Sequence, residues 1–215
     1  MPLAEALPSA TWPLAALDLV GVFIFGLSGG LAATRKQFDI LGVLVLAAAA
    51  GLGGGILRDV LIGAVPPVGI SDWRLLAAAC AAGLLTFRFH PRLTRIEGLV
   101  LVLDGIGLGV FAIAGTLKAL EMDAEPLTAV IVGVLTGVGG GVARDLLSGE
   151  VPRVLAHREL YATPALLGAG VFAGAWSAGL DHPAVTWGCV ALISAVRILA
   201  LRRNWQAPAP TPPSG

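Results

Sequence analysis

Charged side chains are scarce in this sequence, and their scarcity excludes an ordinary water-soluble domain. Asp, Glu, Lys and Arg together make up 13% of the 215 residues, whereas soluble domains carry roughly a quarter. A soluble protein of this length has too much surface to cover with so few charges. The bilayer removes that difficulty, because a surface that faces lipid need not be polar. The sequence therefore predicts an integral membrane protein.

Signals for several other classes of protein are also missing. The formal net charge is zero, so nothing suggests a nucleic-acid partner. The two cysteines, Cys80 and Cys189, lie in apolar segments without the spacing of metal ligands, and we expect no metal site. No nucleophile–base set is visible, and the glycine-rich runs lack the Lys-Ser/Thr that completes a P-loop. We therefore expect neither an enzyme nor a bound cofactor.

Apolar runs dominate what is present, since 56% of the residues are hydrophobic. The runs are continuous rather than alternating, which favours helices over the strands of a barrel. We predict an all-α membrane protein with seven transmembrane helices, at 13–33, 40–64, 74–89, 97–118, 126–150, 160–179 and 184–201. Most of these approach the ~20 residues that cross a hydrocarbon core. Residues 1–12 should form a tail, and the Pro-rich residues 204–215 a disordered one.

An internal repeat is the strongest pattern. Residues 18–66 align without a gap with residues 104–152, and 17 of the 49 positions are identical. GLGGGILRDVLIGAVP in the first copy matches GVGGGVARDLLSGEVP in the second. Three helices per repeat is an odd number, so the second repeat should enter the membrane from the opposite face. We expect repeats at 13–95 and 96–182, and a seventh helix at 183–203 outside them.

The distribution of Lys and Arg predicts the orientation. One side of the seven helices receives 11 of these residues and the other receives three, so the first side should be cytoplasmic. The N-terminus is then outside and the C-terminus inside. The cytoplasmic set is Arg35, Lys36, Arg88, Arg92, Arg95, Arg144, Arg153, Arg158, Arg197, Arg202 and Arg203, and the outer set is Arg58, Arg74 and Lys118.

The second and fifth segments share the motif G-x-G-G-G-x-x-R-D. Each glycine weakens a helix by roughly 1 kcal/mol relative to alanine, so these segments could kink or break. A break beside a cavity would free carbonyl groups, which are good ligands for dehydrated cations. The alternative is close helix packing through small residues. The candidate pore or kink residues are Gly51, Gly53, Gly54, Gly55, Gly137, Gly139, Gly140 and Gly141.

Ionisable residues inside apolar segments are costly and point to function. The candidates for gating or intramembrane charge are Asp18, Arg58, Asp59, Asp104, Arg144, Asp145 and Lys118. Two alternatives without a functional role stay open. The helices could end before the Arg-Asp pairs, which would then lie at the membrane interface. Lys118 could reach the interface by snorkelling.

Depth in the membrane predicts how these charges pair. At 1.5 Å per residue, Asp18 and Arg58 lie at matching depths in their helices. By the repeat, Asp104 matches Arg144 on the opposite side. We therefore predict two ion pairs, one near each mouth, and each could act as a gate. The alternative is that the arginines point into the pore and the aspartates bind helix termini. Sequence neighbours such as Arg58 and Asp59 point about 100° apart on a helix, so we expect them not to pair with each other.

The doubled motif G-x-G-G-G-x-x-R-D-x-x-x-G-x-x-P resembles that of the bacterial branch of the trimeric intracellular cation (TRIC) channels, also filed as glycine-transporter-like membrane domains. The resemblance covers roughly residues 15–202. It implies an inverted repeat, a homotrimer in the bacterial inner membrane, and a potassium-permeable pore within each protomer. It also implies that the triplets 53–55 and 139–141 line this pore. Animal members carry Lys-Glu-Val where Ile56, Leu57 and Arg58 stand here, so their regulation is not carried over.

Three functions compete at this stage. The first is a monovalent cation channel, whose partners would be its own copies, membrane lipids, and permeating potassium or sodium ions. The second is a small-solute transporter with glycine as its candidate substrate. The third is a non-conducting structural protein. The sequence has no acidic ring for strong cation selection, so a channel should discriminate weakly between potassium and sodium.

Overall fold

The computed structural model describes residues 12–93, 95–96, 98–156 and 160–205, and the regular structure in this part of the chain is helical throughout. The all-α prediction is therefore confirmed. The tails at 1–11 and 206–215 lie outside the described residues. The helices are α1 (Trp12–Arg35), α2 (Ile40–Leu61), α3 (Val68–Ser71), α4 (Trp73–Leu93), α5 (Leu99–Glu121), α6 (Pro126–Leu147), α7 (Arg153–Ala156), α8 (Ala162–Ser177) and α9 (Pro183–Arg202).

The seven longer helices overlap the seven predicted apolar segments, with ends that differ by up to four residues. α2 and α6 end three residues earlier than predicted. The two four-residue helices, α3 and α7, were not predicted, because each is too short to carry a periodic pattern. Among the described residues, five helices are long and apolar enough to cross a membrane, namely Pro13–Arg35, Ile40–Leu61, Leu99–Glu121, Pro126–Leu147 and Pro183–Arg202. Of the other two long helices, α4 carries polar residues at both ends, and α8 is 16 residues long.

The ends of α2 and α6 explain one glycine of the doubled motif. Gly63 and Gly149 follow these helices with φ values of 72° and 74°. Glycine adopts this left-handed conformation at little cost, which is why it commonly terminates helices. In each turn a backbone bond of 2.8 Å closes the helix, from Ala64 N–H to the Asp59 carbonyl and from Glu150 N–H to the Asp145 carbonyl. The chain can therefore turn immediately after each Arg-Asp pair.

The two repeats meet through reciprocal contacts at the centre of the bundle. The rings of Phe25 and Phe111, which are equivalent in the repeat, stack with centroids 5.5 Å apart. A Cβ on Gly54 would overlap the carbonyl oxygen of Thr136, and one on Gly140 would overlap that of Ala50. The two contacts are equivalent, because Gly54 corresponds to Gly140 and Ala50 to Thr136 at the repeat offset of 86 residues. The repeat seen in the sequence is thus also a repeat of contacts.

Neither glycine-rich helix is broken. α2 and α6 are each continuous for 22 residues across their glycine runs, so the expected interruption does not occur. The physical reason is the packing of neighbouring backbones. A Cβ on Gly51 would stand 2.7 Å from the Val22 carbonyl, and one on Gly137 would stand 2.9 Å from that of Leu108. Burial against these backbones offsets the low helix propensity of glycine.

Candidate functional site

A first cluster of charges, which consists of Asp18, Arg58, Asp59 and Lys118, is formed by α1, α2 and α5. Arg58 is 1% exposed. Its Nη1 and Nη2 donate to the two carboxylate oxygens of Asp18 at 2.6 and 3.1 Å. This is the bidentate geometry in which a guanidinium and a carboxylate bind most strongly. The predicted pair of Asp18 with Arg58 is therefore confirmed.

Asp59 of the first cluster joins α2, α3 and α5. Its Oδ1 accepts hydrogen bonds from Arg58 Nε at 2.8 Å and from Lys118 Nζ at 2.7 Å. Its Oδ2 accepts a bond of 2.8 Å from the backbone N–H of Val68, the first residue of α3. Lys118 is therefore a member of the cluster rather than a snorkelling residue. Formal charges in the first cluster sum to zero, with two carboxylates against two cations.

A second cluster, which consists of Asp104, Arg144, Asp145 and Ser28, repeats this arrangement in the other half. Arg144 Nη1 donates to Asp104 Oδ1 at 2.7 Å, which confirms the second predicted pair. Arg144 Nε donates to Asp145 Oδ1 at 2.8 Å. Asp145 Oδ2 accepts a bond of 3.0 Å from the backbone N–H of Arg153, the first residue of α7. Both clusters therefore tie a short helix to a buried Arg-Asp pair.

The expectation that sequence neighbours cannot pair was wrong. Arg58 binds Asp59, and Arg144 binds Asp145. The argument from a 100° separation applies to Cβ positions, whereas the guanidinium sits at the end of a long aliphatic chain. That chain carries Nε back across the face of the helix to the neighbouring carboxylate. Each arginine consequently binds two carboxylates at once.

Each repeat lends one residue to the cluster of the other. Lys118 belongs to the second repeat and binds in the first cluster, whereas its repeat equivalent is Ala32. Ser28 belongs to the first repeat, and its Oγ accepts a bond of 2.7 Å from Arg144 Nη1. The equivalent of Ser28 is Ala114. The second cluster as defined therefore has a hydroxyl where the first has a second cation, and the formal charges of its four members sum to −1.

Arg197 on α9 is a buried charge whose position in the sequence indicated only the orientation of the protein in the membrane. It is 0% exposed, and its guanidinium lies 4.7 Å from the ring centroid of Tyr161. The Tyr161 hydroxyl would stand 2.6 Å from a Cβ on Gly141, so the absence of a side chain there makes room for it. The sequence could have predicted that Arg197 is buried, because it lies inside an apolar segment, more than one turn before the end of α9. Tyr161 and Ser28 carried no comparable signal.

A cavity opens beside each cluster. The first has a volume of about 260 Å³ and reaches Asp18, Lys118 and Val68. The second has a volume of about 180 Å³ and is lined by residues that include Ala32, Arg144 and Asp145. Asp18 and Ala32 are 14 residues apart on α1, which corresponds to roughly 21 Å. The two cavities therefore lie toward opposite ends of the same helix, with the central packing between them.

An ion pair at the rim of the second cavity joins the two halves. Lys36 Nζ lies 2.8 Å from Glu150 Oε1, and both residues line the cavity. The hydrogen bond from Lys36 lowers the pKa of Glu150. Because the pKa is lowered in the folded state, the bond stabilises the protein at neutral pH and is lost as the pH falls through that pKa.

No group of three or more His, Cys, Asp or Glu side chains that could hold a metal ion lies within the described residues.

The remaining candidate glycines differ in their surroundings. A Cβ on Gly53 would stand 3.4 Å from the Cβ of Ala143, and one on Gly139 would stand 3.2 Å from the Cα of Gly54. Gly55 has nothing within 4 Å of such an atom. Close packing accounts for Gly51, Gly54, Gly137 and Gly140. It does not account for Gly55.

Comparisons with known proteins agree with this geometry. A family model described as glycine transporter matches the chain twice, at residues 15–91 and 101–177. A UPF0126 membrane protein of Deinococcus radiodurans is 47% identical over 155 residues, 72% of each chain. The UPF0126 inner membrane protein YadS of Escherichia coli is 38% identical over 91% of this chain and 94% of its own.

Solved structures are similar over nearly the whole chain. A TRIC cation channel has a TM-score of 0.83 and 36% identity, covering 94% of this chain and 98% of its own. The TRIC orthologue from Rhodobacter sphaeroides has the same TM-score and identity, covering 89% and 98%. A more distant TRIC channel, at 21% identity and a TM-score of 0.56, shares the fold. The chain therefore belongs to the TRIC/UPF0126 family of multi-pass bacterial membrane proteins.

Proposed function

We propose that this protein is a channel for monovalent cations, permeable to potassium, with a pore within each protomer of a homotrimer. The single observation that carries the proposal is the pair of equivalent charge clusters, each beside a cavity and set toward opposite ends of α1. A path for ions needs polar groups and space at both ends of the bundle. The similarity to TRIC cation channels, one of them named as trimeric, supports the same function.

We further infer seven transmembrane helices, arranged as an inverted repeat of three plus three with α9 outside it. α4 and α8 would then cross the membrane besides the five helices that are sufficiently long and apolar. The reciprocal contacts between Gly54 and Thr136 and between Gly140 and Ala50 support a two-fold relation of the halves. A two-fold axis in the membrane plane is the arrangement of inverted-topology repeats. The repeats would span 13–95 and 96–182.

The clusters are the proposed gates at the two mouths. Their ion pairs close each end while they remain intact, and opening of a pair would leave a carboxylate facing the cation. Asp18 and Asp104 are the carboxylates that pair with arginines of another helix, so they are the members that separation of helices would release. The glycine runs of α2 and α6 would line the path between the gates, with Gly55 as the most open position.

Single-channel recording tests this function. Purified protein in planar bilayers should show unitary potassium currents, with weak discrimination against sodium because no acidic ring is present. Glycine uptake should be measured on liposomes from the same preparation. Unitary currents without glycine uptake support the channel. Saturable glycine uptake without unitary currents would establish the transporter instead.

The transporter is the second candidate because the matching family model is described as glycine transporter. A transporter must close around its substrate and alternate between its two ends. Two gates at opposite ends suit that cycle as well as they suit a channel. The recording and the uptake assay therefore have to be made on the same protein.

A further inference from the structure

The end of α4 that the charge distribution assigns to the cytoplasm carries a concentration of positive charge. Arg88 and Arg92 lie on its last two turns, and Arg95 follows the helix. Within the described residues, none of these three arginines forms an ion pair or a hydrogen bond with a carboxylate. By contrast, the buried Arg58 and Arg144 each bind two carboxylates. The three arginines thus contribute a local charge of +3 at an exposed surface.

These arginines surround a concave site rather than a flat surface. A cavity of about 300 Å³ is lined by Arg88, Phe89, Pro91, Arg92 and Arg95. Arg88 and Arg92 are four residues apart, which places them on one face of the helix. The Arg88 guanidinium lies 5.5 Å from the ring centroid of Phe89. Planar guanidinium groups are well suited to bind the oxygens of a phosphate group.

An apolar stripe continues from this basic site along α4. Leu84 and Leu85 precede Arg88 by four and three residues and Arg92 by eight and seven, so all four lie on one face of the helix. Both leucines are exposed, at 48% and 40%. A ligand that satisfies the whole surface needs an anionic head for the arginines and a long apolar body for the leucines. Free phosphate satisfies only the first requirement.

We propose that this surface binds an anionic phospholipid, with its phosphate at Arg88, Arg92 and Arg95 and an acyl chain along Leu84 and Leu85. Basic pockets at the cytoplasmic ends of transmembrane helices recognise such headgroups. Pro91, just before Arg92, adds an apolar surface to the cavity lining. The site is separate from both charge clusters and does not depend on whether the protein conducts ions.

Titration of the purified full-length protein with lipid in neutral detergent tests the proposal. Dioleoyl phosphatidylglycerol should raise the melting temperature, whereas dioleoyl phosphatidylcholine at equal concentration should not. The variant Arg88→Gln/Arg92→Gln should need a roughly tenfold or greater concentration of phosphatidylglycerol for the same shift. Arg202→Gln/Arg203→Gln removes two exposed arginines from the same end of the bundle and is the matched control, which should respond as wild type does.

The outcomes separate specific from general attraction. If both double variants lose the response equally, the lipid is held by net charge alone and the site is wrong. If inorganic phosphate stabilises the protein as strongly as the lipid, the ligand is a free anion rather than a phospholipid. Arg88→Lys/Arg92→Lys keeps the charge and should recover part of the response, which guards against loss of folding as the cause. The lipid test measures the melting temperature and not ion currents, so its result does not depend on whether the protein is a channel.

Discussion

A guanidinium buried away from water costs several kcal/mol unless its donors are paired. Arg58 and Arg144 each have one carboxylate from another helix and one from the next residue in the chain. Arg58 donates to both oxygens of Asp18, whereas Arg144 donates to one oxygen of Asp104. The arrangement places both arginines among the largest fully buried side chains of the protein. Charges held like this are stable only as a set, so the removal of one member exposes the cost of the others.

Replacement of the carboxylate partner tests this at the level of single residues. Asp18→Asn should lower the free energy of unfolding by about 3–5 kcal/mol, because it leaves the first cluster with an uncompensated positive charge. Asp104→Asn should lower it by less, because Arg144 and Asp145 then balance each other. Unfolding of the purified protein in detergent measures the change. Glu125→Gln, at an exposed residue before α6, is the control and should stay within about 0.5 kcal/mol of wild type. Wild-type stability of both Asn variants would contradict the role of these pairs.

At the scale of elements, the glycine-rich stretches of α2 and α6 act first as contact surfaces. Gly54 and Gly140 allow the two helices to approach until backbone meets backbone. Such contact requires residues without side chains, as in other membrane helix pairs. Gly55, one position along, faces open space. Adjacent glycines of one triplet thus occupy different environments, and a single explanation for all of them fails.

Alanine substitution distinguishes these environments. Gly54→Ala should destabilise the protein by about 1–3 kcal/mol, because its Cβ would force α2 away from the Thr136 carbonyl. Potassium flux from liposomes should fall with it. Gly55→Ala has space for the added methyl group and a better helix former, so its stability should equal or exceed that of wild type by up to about 1 kcal/mol. Equal destabilisation by both substitutions would rule out this division of the triplet.

At the scale of the whole molecule, the two repeats are joined by more than apolar contact. Lys118 of the second repeat binds Asp59 of the first, and Ser28 of the first binds Arg144 of the second. Lys36 and Glu150 add a third polar link. None of these links has an equivalent at the repeat-related position, since Lys118 corresponds to Ala32. The two ends of the bundle are therefore similar in architecture and different in charge.

Orientation in the membrane is a prediction for the whole molecule. In a background of Cys80→Ala and Cys189→Ala, Met122→Cys and Arg95→Cys place one thiol at each end of α5. The excess of Lys and Arg on one side predicts that a membrane-impermeant maleimide labels Met122→Cys on intact cells. Arg95→Cys should react only after permeabilisation. Labelling of Arg95→Cys on intact cells, with Met122→Cys protected, would reverse the assigned topology.

The sequence by itself determined the class of protein, the approximate positions of the long helices and the repeat. These features depend on composition and on hydropathy along the chain, which are local properties. It also determined the pairing of Asp18 with Arg58 and of Asp104 with Arg144. That inference needed only depth in the membrane, which follows from the rise per residue of a helix.

Tertiary structure alone decided which additional groups complete each cluster. Lys118 and Ser28 complete the clusters, and they come from helices whose rotation and closeness are set by side-chain packing, which no local pattern encodes. The contact between Tyr161 and Arg197 depends on packing in the same way. The same holds for the glycines, because the motif looks identical whether a glycine meets a backbone or open space. The reach of the arginine side chain decided the pairing of sequence neighbours. A helical wheel describes the direction of the Cβ atom. The guanidinium lies several bonds further out, so its position depends on the carboxylates that it binds.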